Sequence, residues 1–381
     1  MRLAIDATIL EDARPSGIGT AAINIVNELA SIHDDLIVWT VDDSMLRVDR
    51  GRLHKVFINS RRLLGSNIYM ARAAWTQFVL PALIKKAKAD VFYTPIPEGI
   101  FYPPLPNPMP QSVPQIVTVY DIQPILYKDN VPLMRYLSFK YRLPLVFRSA
   151  KKLIAMSENA KKDIIKHYGI AAGKIEVVHC AIDNGHFKPP APHNKAAVLD
   201  KYALIDGRYF LYVGSVLPSK NIETMIDAFS SVSKDYALVI AGRRPDQAYE
   251  RRCNAMIRDR LISNVRFLDY VPYDELPALY NGACANVLVS LIEGFGLPPL
   301  EAMASATAVI VSNRGSLPEI VGDAAIVVDA MNIGEIAQAM RRLASDEALR
   351  SGLIKKGLEH VKKFSWRHTA ERILAICKES L

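Results

Sequence analysis

Short β-branched runs alternate with helix-period segments along the whole chain, and this alternation restricts the possible folds more than any other feature. Apolar stretches at Leu3–Asp6, Leu36–Val41, Val56–Asn59, Val91–Thr94, Ile116–Val119, Leu153–Met156 and Ile175–Val178 have the length and composition of strands. Between them, apolar residues recur at helical spacing near 18–31, 68–88, 133–149 and 158–168. Such an order builds right-handed βαβ units around a parallel sheet. Periodicity stops at "FKPPAPHNKA", residues 187–196, which reads as a linker. It restarts with expected strands at Tyr209–Val213, Ala237–Ala241, Val265–Leu268, Ala285–Val289, Ala308–Val311 and Ile326–Val328. The fold expected is therefore α/β, with two Rossmann-like doubly wound domains over residues 1–188 and 197–363. Ligands are expected in a central cleft at the carboxyl ends of the two sheets. A chain of 381 residues is longer than one core usually fills, which agrees with two domains. The Pro-rich stretch 101–114 reads as a long loop of the first domain, and residues 364–381 as a terminal amphipathic helix.

Composition narrows the function. The four cysteines, Cys180, Cys253, Cys284 and Cys377, form no CxxC and no Cys/His cluster, so a zinc site or a disulfide scaffold is not expected. The start "MRLAID" runs straight into a strand pattern without a signal-peptide region, and no apolar run has the length of a membrane span, so a cytoplasmic location is expected. The net charge of +8 suits an anionic ligand. No zinc finger, aromatic RNA-binding strand or long basic run is present, and no nucleic-acid partner is expected.

Chemistry concentrates where strands hand over to helices. In "SLIEGFGLPPLEAMA", residues 290–304, Pro298 and Pro299 fit only the first turn of a helix, which should begin near Leu297. Gly294, Phe295 and Gly296 then form a turn at the positive end of the helix dipole, open to a phosphate or to hydroxyls. Glu293 and Glu301, eight positions apart, would accept hydrogen bonds from a polyol. The blander alternative is that Glu301 complements the dipole and the glycines only permit the turn. In "YVGSVLPSKN", Lys220 opens a helix after a strand, where it would meet a diphosphate or stay a solvated charge. "VIAGRRPD" repeats the arrangement with Arg243 and Arg244, with the same two readings. Gly17 and Gly19 lead into the first helix, but the Walker Gly-Lys-Ser/Thr and a third fingerprint glycine are missing.

Together with "VRFLDYVPYDELPALYNGA" and "VSNRGSLPEIVGDAA", these segments resemble the carboxyl-terminal domain of retaining glycosyltransferases of family 4, which have the GT-B fold. Weaker matches, such as "VTVYDI", "AMSENAKKDI" and "FSWRHTAERIL", extend over nearly the whole chain. The pattern is most similar to a subgroup rich in mannosyltransferases for bacterial O-antigen and exopolysaccharide assembly. The resemblance implies that Glu293 holds donor-sugar hydroxyls, with the backbone of Phe295, Gly296 and Leu297 around sugar and phosphate. It places the ribose diol on Glu301, the diphosphate on Lys220 and the base near Tyr270 and Val271. Gly17 and Gly19 would line the diphosphate or the acceptor entrance, and the terminal helix would cross back to the first domain.

Departures accompany the match. Ser215 stands where the family usually has an arginine, so Arg243 or Arg244 is the expected substitute. The frequent His-Asp pair reads Tyr120-Asp121, leaving Asp121 as a helper for the acceptor hydroxyl or as a capping residue. The family's Asn-Gly reads Cys180-Ala181, although Asp183 remains. No Asp-x-Asp pair occurs, which agrees with protein cations in place of a divalent metal; no cofactor is expected beyond the nucleotide-sugar co-substrate. The resemblance implies retention, and a front-face attack in which the leaving phosphate takes the acceptor proton asks less of the side chains than a double displacement. GDP-mannose is the expected donor and a glycan or polyprenyl-diphosphate-linked oligosaccharide the expected acceptor. UDP-glucose, a same-fold epimerase and a non-catalytic nucleotide-sugar-binding subunit are the alternatives. Arg61, Arg62, Arg72, Lys85, Lys86 and Lys88, with Trp75 and Phe78, form a basic amphipathic stretch suited either to peripheral contact with an anionic membrane or to ordinary core packing.

Overall fold

The computed structural model describes residues 1–10, 17–56, 58, 68–101, 113–128 and 131–381. Contacts divide the chain into two units, Met1–Ala181 with Trp366–Leu381, and Ile182–Ser365. Among the described residues, the first unit holds a seven-stranded sheet in the order β3-β2-β1-β4-β5-β6-β7. Its strands are β1 Leu3–Ala7, β2 Leu36–Thr40, β3 Leu53–Lys55, β4 Val91–Thr94, β5 Gln115–Val119, β6 Lys152–Ala155 and β7 Ile175–Val177. Every pairing is parallel. The central strands β1, β4 and β5 are buried throughout, as expected of a sheet covered by helices on both faces. One apolar layer joins Val117, Val119 and Leu153 to Leu143, Val146, Phe147 and Ile164, and another joins Ala4, Trp39 and Phe92 to Trp75, Leu80 and Ile84. The terminal helix Trp366–Glu379 packs along helix Gly17–Ile32, and the Thr369 hydroxyl donates to the His179 carbonyl at 2.8 Å.

Several boundaries differ from the sequence reading, each for a local reason. The helix expected over 68–88 is two helices, Ile68–Phe78 and Leu80–Ala87, because Pro81 lacks the N–H that would continue the first ladder. The helix expected over 133–149 contains a π-helical turn, Ser138–Arg142, before Pro144 enters the first turn of helix Leu143–Ser149. The strand expected at Val56–Asn59 lies three residues earlier, at β3, and residues 57 and 59 fall outside the described residues. Most of the expected loop 101–114 lies outside them too. The stretch read as a linker carries helix Pro192–Lys201, which starts on a proline at its tolerated first position.

The second unit holds a six-stranded sheet in the order β10-β9-β8-β11-β12-β13. Its strands are β8 Tyr209–Val213, β9 Ala237–Ala241, β10 Val265–Leu268, β11 Ala285–Leu288, β12 Ala308–Ser312 and β13 Ile326–Val328, all in parallel pairs. After β8 the chain winds one way through β9 and β10. With β11 it returns to the other side of β8 and winds outward through β12 and β13. Loops leaving β8 and β11 are therefore forced apart above neighbouring strands, which opens a crevice at the carboxyl edge. The same holds in the first unit between β1 and β4.

Backbone contact tightens the second unit's edge. Gly214 and Gly242 follow β8 and β9 with φ of +150° and +145°. A Cβ at Gly242 would lie 2.1 Å from the Gly214 carbonyl oxygen. Gly242→Ala should therefore cost about 2–3 kcal/mol through strain and backbone displacement, read as a lowered unfolding midpoint in urea with the first unit's exchange-protected amides unchanged.

Candidate functional site

The crevice of the second unit is built from three strand ends. Past β8, Pro218–Lys220 forms a single 3₁₀ turn, and Asn221 takes a left-handed conformation (φ +59°) that asparagine tolerates better than most residues. The Asn221 amide donates to the carbonyls of Val289 at 3.0 Å and Ala330 at 2.7 Å, and its Oδ1 accepts from Thr224 at 2.6 Å. The Leu291 N–H donates to the Ser219 carbonyl at 2.9 Å. These bonds clamp the β8 loop onto the β11 loop. Lys220 Nζ consequently meets Glu293 Oε1 at 2.6 Å, with the side chains 19% and 14% exposed. The Ser290 hydroxyl donates to the same oxygen at 2.8 Å.

The Glu293–Gly296 turn is held from below by the loop after β12. The Ser316 hydroxyl contacts the carbonyls of Phe295 at 2.7 Å and Glu293 at 3.1 Å, and its N–H donates to the Glu293 carbonyl at 3.3 Å. Gly315, at φ +60°, leaves no room for a side chain, since a Cβ would lie 2.7 Å from the Glu293 oxygen. Gly296, at φ +102°, starts helix Leu297–Ala304 as the sequence reading expects. Pro298 and Pro299 carry no N–H, so amide donors at this helix start come from the turn and from Leu297.

Glu301, one turn further on, is half-buried and accepts from the Tyr280 hydroxyl at 2.9 Å. Desolvation pushes its carboxyl up to about 7, against the opposing effect of the Tyr280 bond. After β10, Tyr270 is exposed and Val271 is buried; the chain then reaches Tyr273, an electrostatic neighbour of Glu301. Ser215 is half-buried, and its carbonyl accepts from the Tyr212 hydroxyl at 2.9 Å.

With this geometry in place, comparison with known proteins identifies the family. Residues 15–185 match the model described as Glycosyltransferase Family 4, and residues 200–360 the model described as Glycosyl transferases group 1. O-antigen chain mannosyltransferase B of Escherichia coli is 32% identical over 259 residues, 66% of this chain and 67% of the relative. The chain belongs to glycosyltransferase family 4. O-antigen chain mannosyltransferase RfbU of Salmonella typhimurium is 34% identical to this family-4 chain over 216 residues, 56% of each. Among solved structures, HepE of Anabaena in complex with UDP and glucose superposes with a TM-score of 0.75 at 16% identity, covering 100% of both chains. The two parallel-sheet units have the GT-B glycosyltransferase fold.

Other residues expected in the transferase's site sit differently. Arg244 is committed to carboxylates, donating to Glu250 at 2.6 Å and pairing with Asp269. Arg243 is exposed, and its carbonyl accepts from the Val216 N–H at 2.9 Å. In the first unit, Asp121 accepts from the Gln123 N–H at 2.9 Å, two residues on, just before helix Gln123–Leu126. Tyr120 is buried, with its hydroxyl unpaired among the described residues. Gly17 is the exposed first residue of its helix, whereas Gly19 is buried. Of the basic amphipathic stretch, Arg72 and Trp75 are buried, Arg61 and Arg62 lie outside the described residues, and Phe78, Lys85, Lys86 and Lys88 are exposed. Among the described residues no helix is long and apolar enough to cross a membrane, and no group of His, Cys, Asp and Glu is placed to hold a metal ion. Sequence reasoning missed Ser290, Tyr280 and Ser316, of which Ser316 carried a signal as the residue between a glycine and a Leu-Pro helix start.

The raised Glu301 carboxyl makes a signed prediction. Its pKa exceeds the ordinary value of 4.5, so its contribution to stability is complete below pH 4.5 and is lost as pH rises through about 7. Glu301→Gln should abolish this component in melting curves taken from about pH 4.5 to 7.5.

Proposed function

We propose that this family-4 transferase moves mannose from GDP-mannose, with retention, onto a glycan borne on a lipid diphosphate during assembly of a bacterial surface polysaccharide. Two relatives named as O-antigen chain mannosyltransferases, at 32% and 34% identity, support the sugar and the pathway class. The observation that carries the reading is the 2.6 Å Lys220–Glu293 pair at the switch point of the second sheet.

The pair suits a nucleotide sugar at its leaving group. Lys220 spends one of its three N–H donors on Glu293 and keeps two for diphosphate oxygens. Glu293 Oε1 is engaged by Lys220 and Ser290, which leaves Oε2 for a sugar hydroxyl. As the bond from the anomeric carbon to the phosphate oxygen breaks, negative charge grows on the diphosphate. Lys220, held in place by Glu293, would stabilise that charge with little reorganisation, and N–H groups at the helix start would add to it. The acceptor hydroxyl attacks the anomeric carbon from the face that the phosphate leaves, and its proton passes to the departing phosphate oxygen. The products are the glycosylated acceptor and GDP. Glu301, with Tyr280 behind it, would hold the ribose diol.

UDP-glucose as donor is a second reading, favoured by the complex of HepE with UDP and glucose. A thermal-shift panel of GDP-mannose, UDP-glucose and ADP-glucose separates the two, since only ligands that bind the folded state raise its melting point. GDP-mannose should give the largest shift, and no shift from any nucleotide sugar would defeat both readings. Lys220→Ala should lower kcat about 10²–10³-fold, the range for removing one preorganised donor to a developing anion. Glu293→Gln, which still accepts from Lys220, should lose transfer while retaining GDP binding, measured by radiolabelled mannose incorporation and calorimetry.

A further inference from the structure

The chain enters the second unit at Ile182, and the turn that follows aims two rings. Asp183 Oδ1 accepts from the N–H groups of Gly185 at 2.9 Å and His186 at 3.1 Å, and the Asp183 carbonyl accepts from the Phe187 N–H at 2.8 Å. This closed turn sets His186 beside Phe187, with ring centroids 4.9 Å apart and planes at right angles. Phe187 is buried and His186 half-buried. Both rings meet the segment after β10. The His186 ring lies flat on Tyr273, with centroids 4.1 Å apart and planes 9° from parallel. Its Nε2 is 3.0 Å from the Tyr273 carbonyl oxygen; a carbonyl can only accept, so Nε2 carries the proton.

Phe187 meets Tyr273 edge-on at 5.3 Å and Tyr280 at 6.2 Å. The Tyr280 hydroxyl is the donor to Glu301, and Glu301 is an electrostatic neighbour of Tyr273. A continuous path of rings therefore runs from His186 to the carboxylate assigned to the ribose. The segment it braces has little else to hold its near end. Tyr273–Glu275 is a single 3₁₀ turn that follows Pro272, which has no N–H to donate. Its far end is pinned at Glu275, which accepts from Lys201 at 2.7 Å and from the Tyr202 hydroxyl at 2.6 Å. At the near end Tyr273 is 38% exposed, and His186 fixes its ring by stacking and its backbone by a hydrogen bond. An aliphatic side chain at 186 would supply neither the flat face nor the N–H donor.

We propose that His186 is a positioning residue for nucleotide binding: it braces Tyr273 and, with Phe187 against Tyr273 and Tyr280, holds Glu301 in the orientation that receives the ribose diol. The proposal rests on the nucleotide-sugar reading above, and it adds a residue that touches no substrate and acts through the ring path alone.

The test titrates the full chain by calorimetry with GDP and UDP, and with the matching analogues that lack both ribose hydroxyls. For the nucleotide that the wild-type chain binds, His186→Ala should weaken affinity by about three- to tenfold, the scale of one stacked aromatic contact. The same variant should leave the analogue's affinity unchanged, because the analogue has no diol for Glu301 to hold. His186→Phe keeps the stacked face and should recover most of the loss. His186→Gln keeps an N–H donor without the ring and should not; it carries the comparison if the alanine variant does not fold by circular dichroism. In a chain already carrying Tyr273→Ala, His186→Ala should cost nothing further, since both act through one contact. Unchanged nucleotide affinity in His186→Ala overturns the proposal, and so does an equal loss for nucleotide and analogue, which marks a residue that only supports the fold. Failure of both GDP and UDP to bind the wild-type chain would instead defeat the nucleotide-sugar reading itself.

Discussion

The ion pair between Lys220 and Glu293 is where the sequence, the topology and the chemistry of the second unit meet. Neither residue is near the other along the chain, and only the adjacency of β8 and β11 brings them together. That adjacency forces the two following loops to leave in opposite directions, and the crevice they frame is the sheet's one break in winding. Everything nearby fixes this contact. Asn221 spends its side chain on the β11 end, Ser316 anchors the two carbonyls beneath the Glu293 turn, and Gly315 lets that anchor approach.

A pair this shielded also balances charge within the crevice. Removing an ammonium from water costs roughly several kcal/mol after relaxation. The carboxylate at 2.6 Å offsets that cost before any ligand arrives. Because Ser290 shares the same carboxylate oxygen, Glu293 is held in one rotamer and Lys220 with it. Glu301 obeys the opposite logic: it has a tyrosine hydroxyl but no cation, and its carboxyl accordingly titrates near neutrality.

What was legible in the sequence follows from which interactions are local. Strands buried on both faces write themselves as continuous apolar runs, so β4, β8 and β9 appear at their expected places. The Pro-Pro helix start at Leu297 and the spacing of Glu293 and Glu301 are equally local, being set by one turn and one helix. The breaks at Pro81 and Pro144 were readable in principle, since each proline removes one ladder donor, but amphipathic periodicity runs straight through both. Pairings across elements were not legible. Arg72 looks like any basic helix residue until Glu98, 26 positions away, comes from another strand end to meet it, and Arg244 looks like a free phosphate ligand until Asp269 does the same. In both cases a charge taken as solvated or ligand-facing is consumed by a partner that only the sheet order supplies.

The two switch points share a topology and differ in how their edges are ordered. In the second unit, glycine-rich backbone and a lysine face the crevice, an arrangement that tolerates close approach and suits a group whose charge changes during reaction, because point charges and amides need no fixed plane. In the first unit the edge is lined by side chains, with a bidentate arginine–glutamate pair locked in place and a second arginine whose shielded Nε has no partner among the described residues. A planar guanidinium demands a partner of set geometry, so the first edge is ordered by side-chain pairing where the second is ordered by close approach of backbone.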